Sequence, residues 1–343
     1  MGGAVRAGRK VIIVTFGGGA RDDETFALEG QRNIPHLINE LVPQGTFFTR
    51  VVNRGILGHY VATASISTGR YETFNNFVAQ PPPAPTVFEY FRKQARRPAS
   101  DAWVIAPSNG FRLMGSSGSR DYGPRYGAGV ILPKHLLASS GASTDFEHLL
   151  QDSYEMAGPV AGAEINRDLN LGQLSTVLKL SVDEFRRNAA ALSSPDELSL
   201  YVARQLMRVM APSLLFLTLH DMDVAHTGAF SLYLDGIQRS DRLCAQLWQS
   251  IQTNPEYKDH TTLLILPDFG RDADGDPGGN GFQHHRTGSA IARTTWLLAL
   301  GPDVRQNATV DRLVESIDVV PTVGGLLGFD ASMAQGRRIV ELA

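Results

Sequence analysis

Two apolar runs in this chain end the same way, in carboxylates followed by imidazole. One is Thr261 to Gly288, TTLLILPDFGRDADGDPGGNGFQHHRTG, where Pro267 delivers Asp268 into a glycine-rich acidic loop that leads to His284 and His285. The other, SLLFLTLHDMDVAHTG, ends in Asp221, Asp223 and His226. Oxygen and nitrogen donors without thiolate suit a divalent cation: Zn, Mn, Mg or Ca. Such an ion polarises an ester oxygen or activates a water. Arg271, just past Asp268, offers a guanidinium fork for an anionic oxygen. Each residue also has a structural reading. Asp268 can cap a turn, Arg271 can pair with the acidic loop, and one of His284 and His285 is expected to point away. The fragment D-A-D-G-D (Asp272, Asp274, Asp276) lacks the helix flanks and distal Glu of a calcium loop, so it reads as solvated loop.

The elements that must position these residues follow a β/α alternation. Strand patterns cover Lys10 to Phe16, Gly45 to Asn53, Ala102 to Ala106, Leu214 to Leu219, Thr262 to Leu266 and Thr295 to Leu300. Continuous β-branched runs such as KVIIVTF suit a parallel sheet buried on both faces. Helical patterns cover Asn33 to Leu41, Gly58 to Gly69, the stretch TVFEYFRKQAR, Ser181 to Ala191, Pro195 to Met210, Phe230 to Ile251 and Ser316 to Leu327. The reading is a single α/β domain over 1–343, with an insertion or cap at about 107–200 where Gly and Ser are frequent and periodicity is weak. In such sheets the site lies beyond the carboxyl ends of the strands.

Bulk composition excludes several classes. With 343 residues, 43% hydrophobic and 20% charged, the chain can bury a sizeable core. A net charge of -3 and no Lys/Arg run argue against a nucleic-acid partner. One cysteine, Cys244, allows no intramolecular disulfide and reads as a small buried hydrophobe. No run is long and apolar enough for a membrane span, and MGGAVRAGRK shows no export signal. Gly17 to Gly19 fits neither dinucleotide nor P-loop patterns. No G-x-S-x-G elbow is present, which argues against an α/β-hydrolase.

Five segments, in order, resemble the alkaline phosphatase superfamily of phosphatases, sulfatases and phosphomutases. They are KVIIVTFGGG; NIPHLINELVPQGTFFTRVVN; HYVATASISTG; DMDVAHTG with YLDGIQRSDRLCAQLW; and TTLLILPDFGRD, followed by HH and ESIDVVPTVGGLLG. The resemblance implies a three-layer α/β/α sandwich, a two-metal site, a Ser, Thr or modified Cys nucleophile, and export to the periplasm or cell exterior. The match of residues is uneven. The upstream metal loop maps to Asp221 or Asp223 with His226, one position off the usual spacing in either case. The other metal's strand-end Asp maps to Asp268, but the His that normally follows is Phe269. The C-terminal His maps to His284 or His285. The first-strand Asp falls on Phe16 or Gly17. The nucleophile position falls on His59, and the nearest substitute hydroxyl is Thr63.

Two expectations follow. One is a divergent metal-dependent hydrolase of small anionic phosphate or sulfate esters, with one or two ions and water, activated by a single surviving metal site, as the attacking group. The other is a catalytically inactive member that serves binding or assembly, with a surface for self- or hetero-association.

Overall fold

The computed structural model describes residues 8–141, 146–150 and 167–342. Among them ten strands form one sheet: β1 (Lys10–Thr15), β2 (Gly45–Val52), β3 (Ala102–Ile105), β4 (Gly129–Ile131), β5 (Arg167–Asp168), β6 (Leu214–Thr218), β7 (Thr261–Leu266), β8 (Thr294–Leu300), β9 (Ala308–Val310) and β10 (Val314–Glu315). The order is β10-β2-β8-β7-β1-β6-β3-β4-β5, with β9 beside β2. Only β8 runs against its neighbours, β2 and β7; the other pairings are parallel.

The centre of the sheet consists of the runs KVIIVT, LLFLT and TTLLIL, buried at every position. Side chains alternate between faces along a strand, so Ile12 and Val14 enter one apolar layer while Val11 and Ile13 enter the other. Nine helices are described: α1 (His59–Thr68), α2 (Val87–Gln94), α3 (Pro133–Ser139), α4 (Glu147–Leu150), α5 (Leu171–Val177), α6 (Val182–Ala189), α7 (Pro195–Met210), α8 (Phe230–Thr253) and α9 (Val319–Leu327). Leu198, Leu206, Ile237 and Leu247 of α7 and α8 cover the first face. Phe88, Phe91, Val320 and Val323 of α2 and α9 cover the second. This is the expected α/β/α sandwich. Cys244 is buried in α8.

Two local expectations change. The helix expected over Asn33 to Leu41 breaks into a short turn at Gln31–Asn33 and a wide π-type turn at Leu37–Leu41. Asp241 of α8 sets that geometry: its carboxylate accepts the amides of His36 and Leu37 at 3.0 and 2.7 Å. The segment 107–200 adds β4 and β5 to the sheet edge, although its glycines hid a strand period. Residues 142–145 and 151–166 of that segment lie outside the described residues.

Candidate metal centre

The loops after β1, β6 and β7 and the start of α1 meet at the carboxyl edge of the central strands. Four residues there, His59, Asp223, His226 and His285, each bring one ligating atom within 4.8 Å of the others. These four could hold a metal ion.

The loop after β6 brings Asp223, and not Asp221, into this cluster. Residues Asp221–Thr227 form a 3-10 turn. Three residues per turn place positions three apart on one side, so His220, Asp223 and His226 face the same way. Asp221 faces elsewhere, where its Oδ2 accepts from Arg239 Nη1 at 2.9 Å. A similar argument separates the histidine pair. His284 is in extended backbone, where neighbouring side chains alternate. His285 turns into the centre, and His284 stays outside the ligating group.

His285 is prepared for ligation. Its Nδ1 lies 2.7 Å from the carbonyl oxygen of Leu57. A carbonyl can only accept, so Nδ1 carries the proton and Nε2 keeps its lone pair. Burial, followed by the charges of His59 and Arg271, holds His285 well below the ordinary histidine range. His226 Nε2 stands 2.8 Å from that lone pair and 3.2 Å from Asp223 Oδ1. Lone pairs facing one point with only a proton between them make an arrangement that a cation displaces.

His59 opens α1 and bridges two carboxylates. Its Nε2 is 2.9 Å from Asp223 Oδ1 and its Nδ1 is 2.5 Å from Asp268 Oδ2. Burial alone pushes His59 down, but the charges of Asp223 and Asp268 outweigh it and raise the imidazole to about 9. Burial pushes Asp223 upward, yet His59, His220 and His226 hold it well below the usual carboxylate range. Asp268 is 1% exposed and reaches the centre through His59 rather than as a member of the ligating group.

Phe269, where the resemblance implies a His, packs against the cluster. Its ring lies 4.6 Å from those of both His59 and His285 and fixes the two imidazoles from an apolar wall with Leu57, Ala62 and Ala292.

Arg271 is fully buried and does not line the cavity beside the imidazoles. It donates to Gly19 O at 3.0 Å, to Phe282 O at 3.1 Å, to Gly18 O, and to Asp223 Oδ1 at 3.1 Å. The Gly17 to Gly19 turn is therefore a carbonyl clamp for a guanidinium. Gly18 has φ +98°, and a Cβ there would sit 2.7 Å from the Asp223 amide. Gly18→Ala is expected to cost at least about 1–3 kcal/mol and to weaken metal uptake, read from the urea midpoint and a metal titration. An unchanged midpoint would remove the clamp from the argument.

Thr63 is buried one turn into α1, and its Oγ1 has no hydrogen-bond partner among the described residues. It does not line the cavity. The acidic-loop carboxylates serve the loop itself: Asp274 accepts from Arg21 and the Gly281 amide, and Asp276 from Ala273 and Ser289. His220 opens a candidate loop but is not singled out by the sequence; its Nε2 lies 3.5 Å from Asp223 Oδ2 and its ring meets His59 edge-on at 4.7 Å. Its place two residues past the end of β6 was the available signal.

No protein-family model and no curated protein matches this chain. Solved structures do. The chain is similar to wild-type alkaline phosphatase PafA, with a TM-score of 0.59 and 11% identity over 97% of this chain and 98% of that one. The phosphonate monoester hydrolase of Agrobacterium radiobacter gives 0.58 and 12% over 97% and 77%. The lipoteichoic acid synthase LtaP from Listeria monocytogenes gives 0.57 and 12% over 98% and 75%. The fold is that of the alkaline phosphatase superfamily.

Proposed function

We propose that this chain, built on the alkaline phosphatase superfamily fold, is a hydrolase of phosphate or sulfate esters with one divalent metal centre at His59, Asp223, His226 and His285. The observation that carries the reading is the 2.7 Å contact between His285 Nδ1 and the Leu57 carbonyl. A backbone carbonyl holds the His285 proton on the far nitrogen, and the Nε2 lone pair faces two other ligating side chains. A bound divalent ion would supply Lewis acidity toward an ester oxygen and an activated water. The residues do the rest: Asp268 orients His59, Phe269 fixes the rings of His59 and His285, and the Leu57 carbonyl fixes the His285 tautomer. The solved neighbours include an alkaline phosphatase and a phosphonate hydrolase, which supports the ester class.

Metal-free protein is expected to bind close to one equivalent of Zn²⁺ or Mn²⁺ and to turn over aryl phosphate or aryl sulfate only when loaded. At a hundredfold excess over Kd, the ion adds about 3 kcal/mol to stability. Metal analysis, a melting curve with and without chelator, and turnover read the three effects. Neither uptake nor chelator-sensitive turnover with any of Zn²⁺, Mn²⁺, Mg²⁺ or Ca²⁺ would sink the proposal.

A second reading, a non-catalytic binding protein, is favoured by one feature. Asp223 and Asp268 already face two internal cations, Arg271 and the raised imidazole of His59. A cluster neutralised in this way can stand without an ion. Near-stoichiometric metal retained through purification decides against it.

A further inference from the structure

We infer that the ester this centre takes carries a single negative charge at its reacting group and an apolar substituent. The inference rests on the hydrolase reading above and names its substrate class.

The cavity beside the imidazoles holds about 250 Å³. Its walls away from the metal-ligating cluster include Ile56, Leu57, Tyr60, Asn76 and Phe77. Ile56 is 36% and Phe77 49% exposed, an apolar rim open to solvent. Among the described residues, no lysine or arginine lines this space. Doubly charged phosphoryl groups are normally held by guanidinium forks or by the free amides of a helix N-terminus. Beside this cavity the guanidinium and two of the α1 amides are engaged. Arg271 is consumed by three carbonyls and Asp223. The amides of Tyr60 and Val61, at the start of α1, point at Asn76 Oδ1 at 3.1 and 3.4 Å. Gly58 makes room for that plug: a Cβ on it would lie 2.5 Å from Asn76 Cγ and Oδ1.

Charge balance agrees. With His59 neutral as a ligand, a divalent ion together with Asp223, Asp268 and Arg271 leaves one positive charge, which one anionic oxygen neutralises. The adjoining cavity behind His220 and Asp223 does carry Lys134 and Arg239, but Asp221 and Asp235 line it too, and Asp221 holds Arg239 at 2.9 Å. Singly charged esters with an apolar arm fall into a phosphorus class, phosphodiesters and phosphonate monoesters, and a sulfur class, sulfate monoesters, whose arm is the ester group itself. In either, water adds its oxygen to phosphorus or sulfur and the ester P–O or S–O bond breaks. The bonding pair goes to the alcohol oxygen, which takes up a proton from the water.

The test compares kcat/KM of the metal-loaded protein on three esters with one leaving group: nitrophenyl phenyl phosphate, nitrophenyl sulfate and nitrophenyl phosphate, at about pH 8, where the last is doubly charged. At least one singly charged ester should exceed the dianion by about tenfold or more. Phe77→Ala should cost the phenyl-bearing diester about tenfold and leave the phosphate monoester unchanged. Gly58→Ala, which displaces Asn76 and frees the amides, should narrow the preference. A preference for the dianion, or a diester rate indifferent to Phe77, overturns the inference. If no ester turns over, the hydrolase reading fails and binding decides the specificity. A larger rise in Tm with diphenyl phosphate than with inorganic phosphate supports the inference, and the reverse overturns it.

Discussion

Asp223→Asn is expected to abolish divalent-metal uptake and to lower the stability of the metal-free protein by about 3–5 kcal/mol. The carboxylate is 3% exposed and faces four positively charged or proton-donating groups. His59 Nε2 lies 2.9 Å away, Arg271 Nη2 3.1 Å, His226 Nε2 3.2 Å and His220 Nε2 3.5 Å. Asparagine keeps the shape, so packing changes little. What is lost is the negative charge opposite Arg271, a guanidinium with no exposure to solvent. Removing one partner of a buried pair leaves an uncompensated charge, which costs far more than a surface pair. Asp221→Asn is the matched control two residues away, outside the ligating group. Urea midpoints and metal titrations of the two variants read the prediction. An Asp223→Asn protein that binds metal like the parent would remove the proposed centre; one that unfolds like the parent would refute the buried-charge argument.

The central sheet was legible because its strands are continuous apolar runs, a pattern that survives without any tertiary information. The Leu37–Leu41 turn was not, since its geometry depends on Asp241, about two hundred residues away in sequence. β4 and β5 were not legible either, being short edge strands in a glycine-rich segment. The site shows the same division. That two strand ends and the start of a helix would carry it could be read from Asp and His following apolar runs. The choice between Asp221 and Asp223 could not, because the family spacing assumes one helical period while this loop adopts a 3-10 turn. His59 could be placed by counting from Gly69, but not its role between two carboxylates. Asn76 gave no signal at all: an Asn in a turn is ordinary, and only the third dimension puts its oxygen on the amides of α1.

The second large effect is a loss of stability of the metal-free protein as pH rises. His59 titrates at about 9 in the fold against 6.5 when unperturbed. A raised pKa means that the protonated form is the one the fold stabilises. That contribution is fully present below about pH 6.5 and is lost as pH rises through about 9. A shift of this size amounts to about 3 kcal/mol. Asp223 acts with the opposite sign: its depressed pKa gives stability present above the ordinary carboxylate range and lost only in acid. A metal ion must displace the proton that His59 holds, so apparent metal affinity should climb over the same window in which metal-free stability falls. Urea midpoints in chelator at about pH 6.5 and about pH 9.5, with His59→Gln as the reference, measure the first effect. Metal titrations across that range measure the second. Equal losses in the parent and in His59→Gln would place the titration in other groups, and a metal affinity flat with pH would mean that His59 does not give up its proton to the ion.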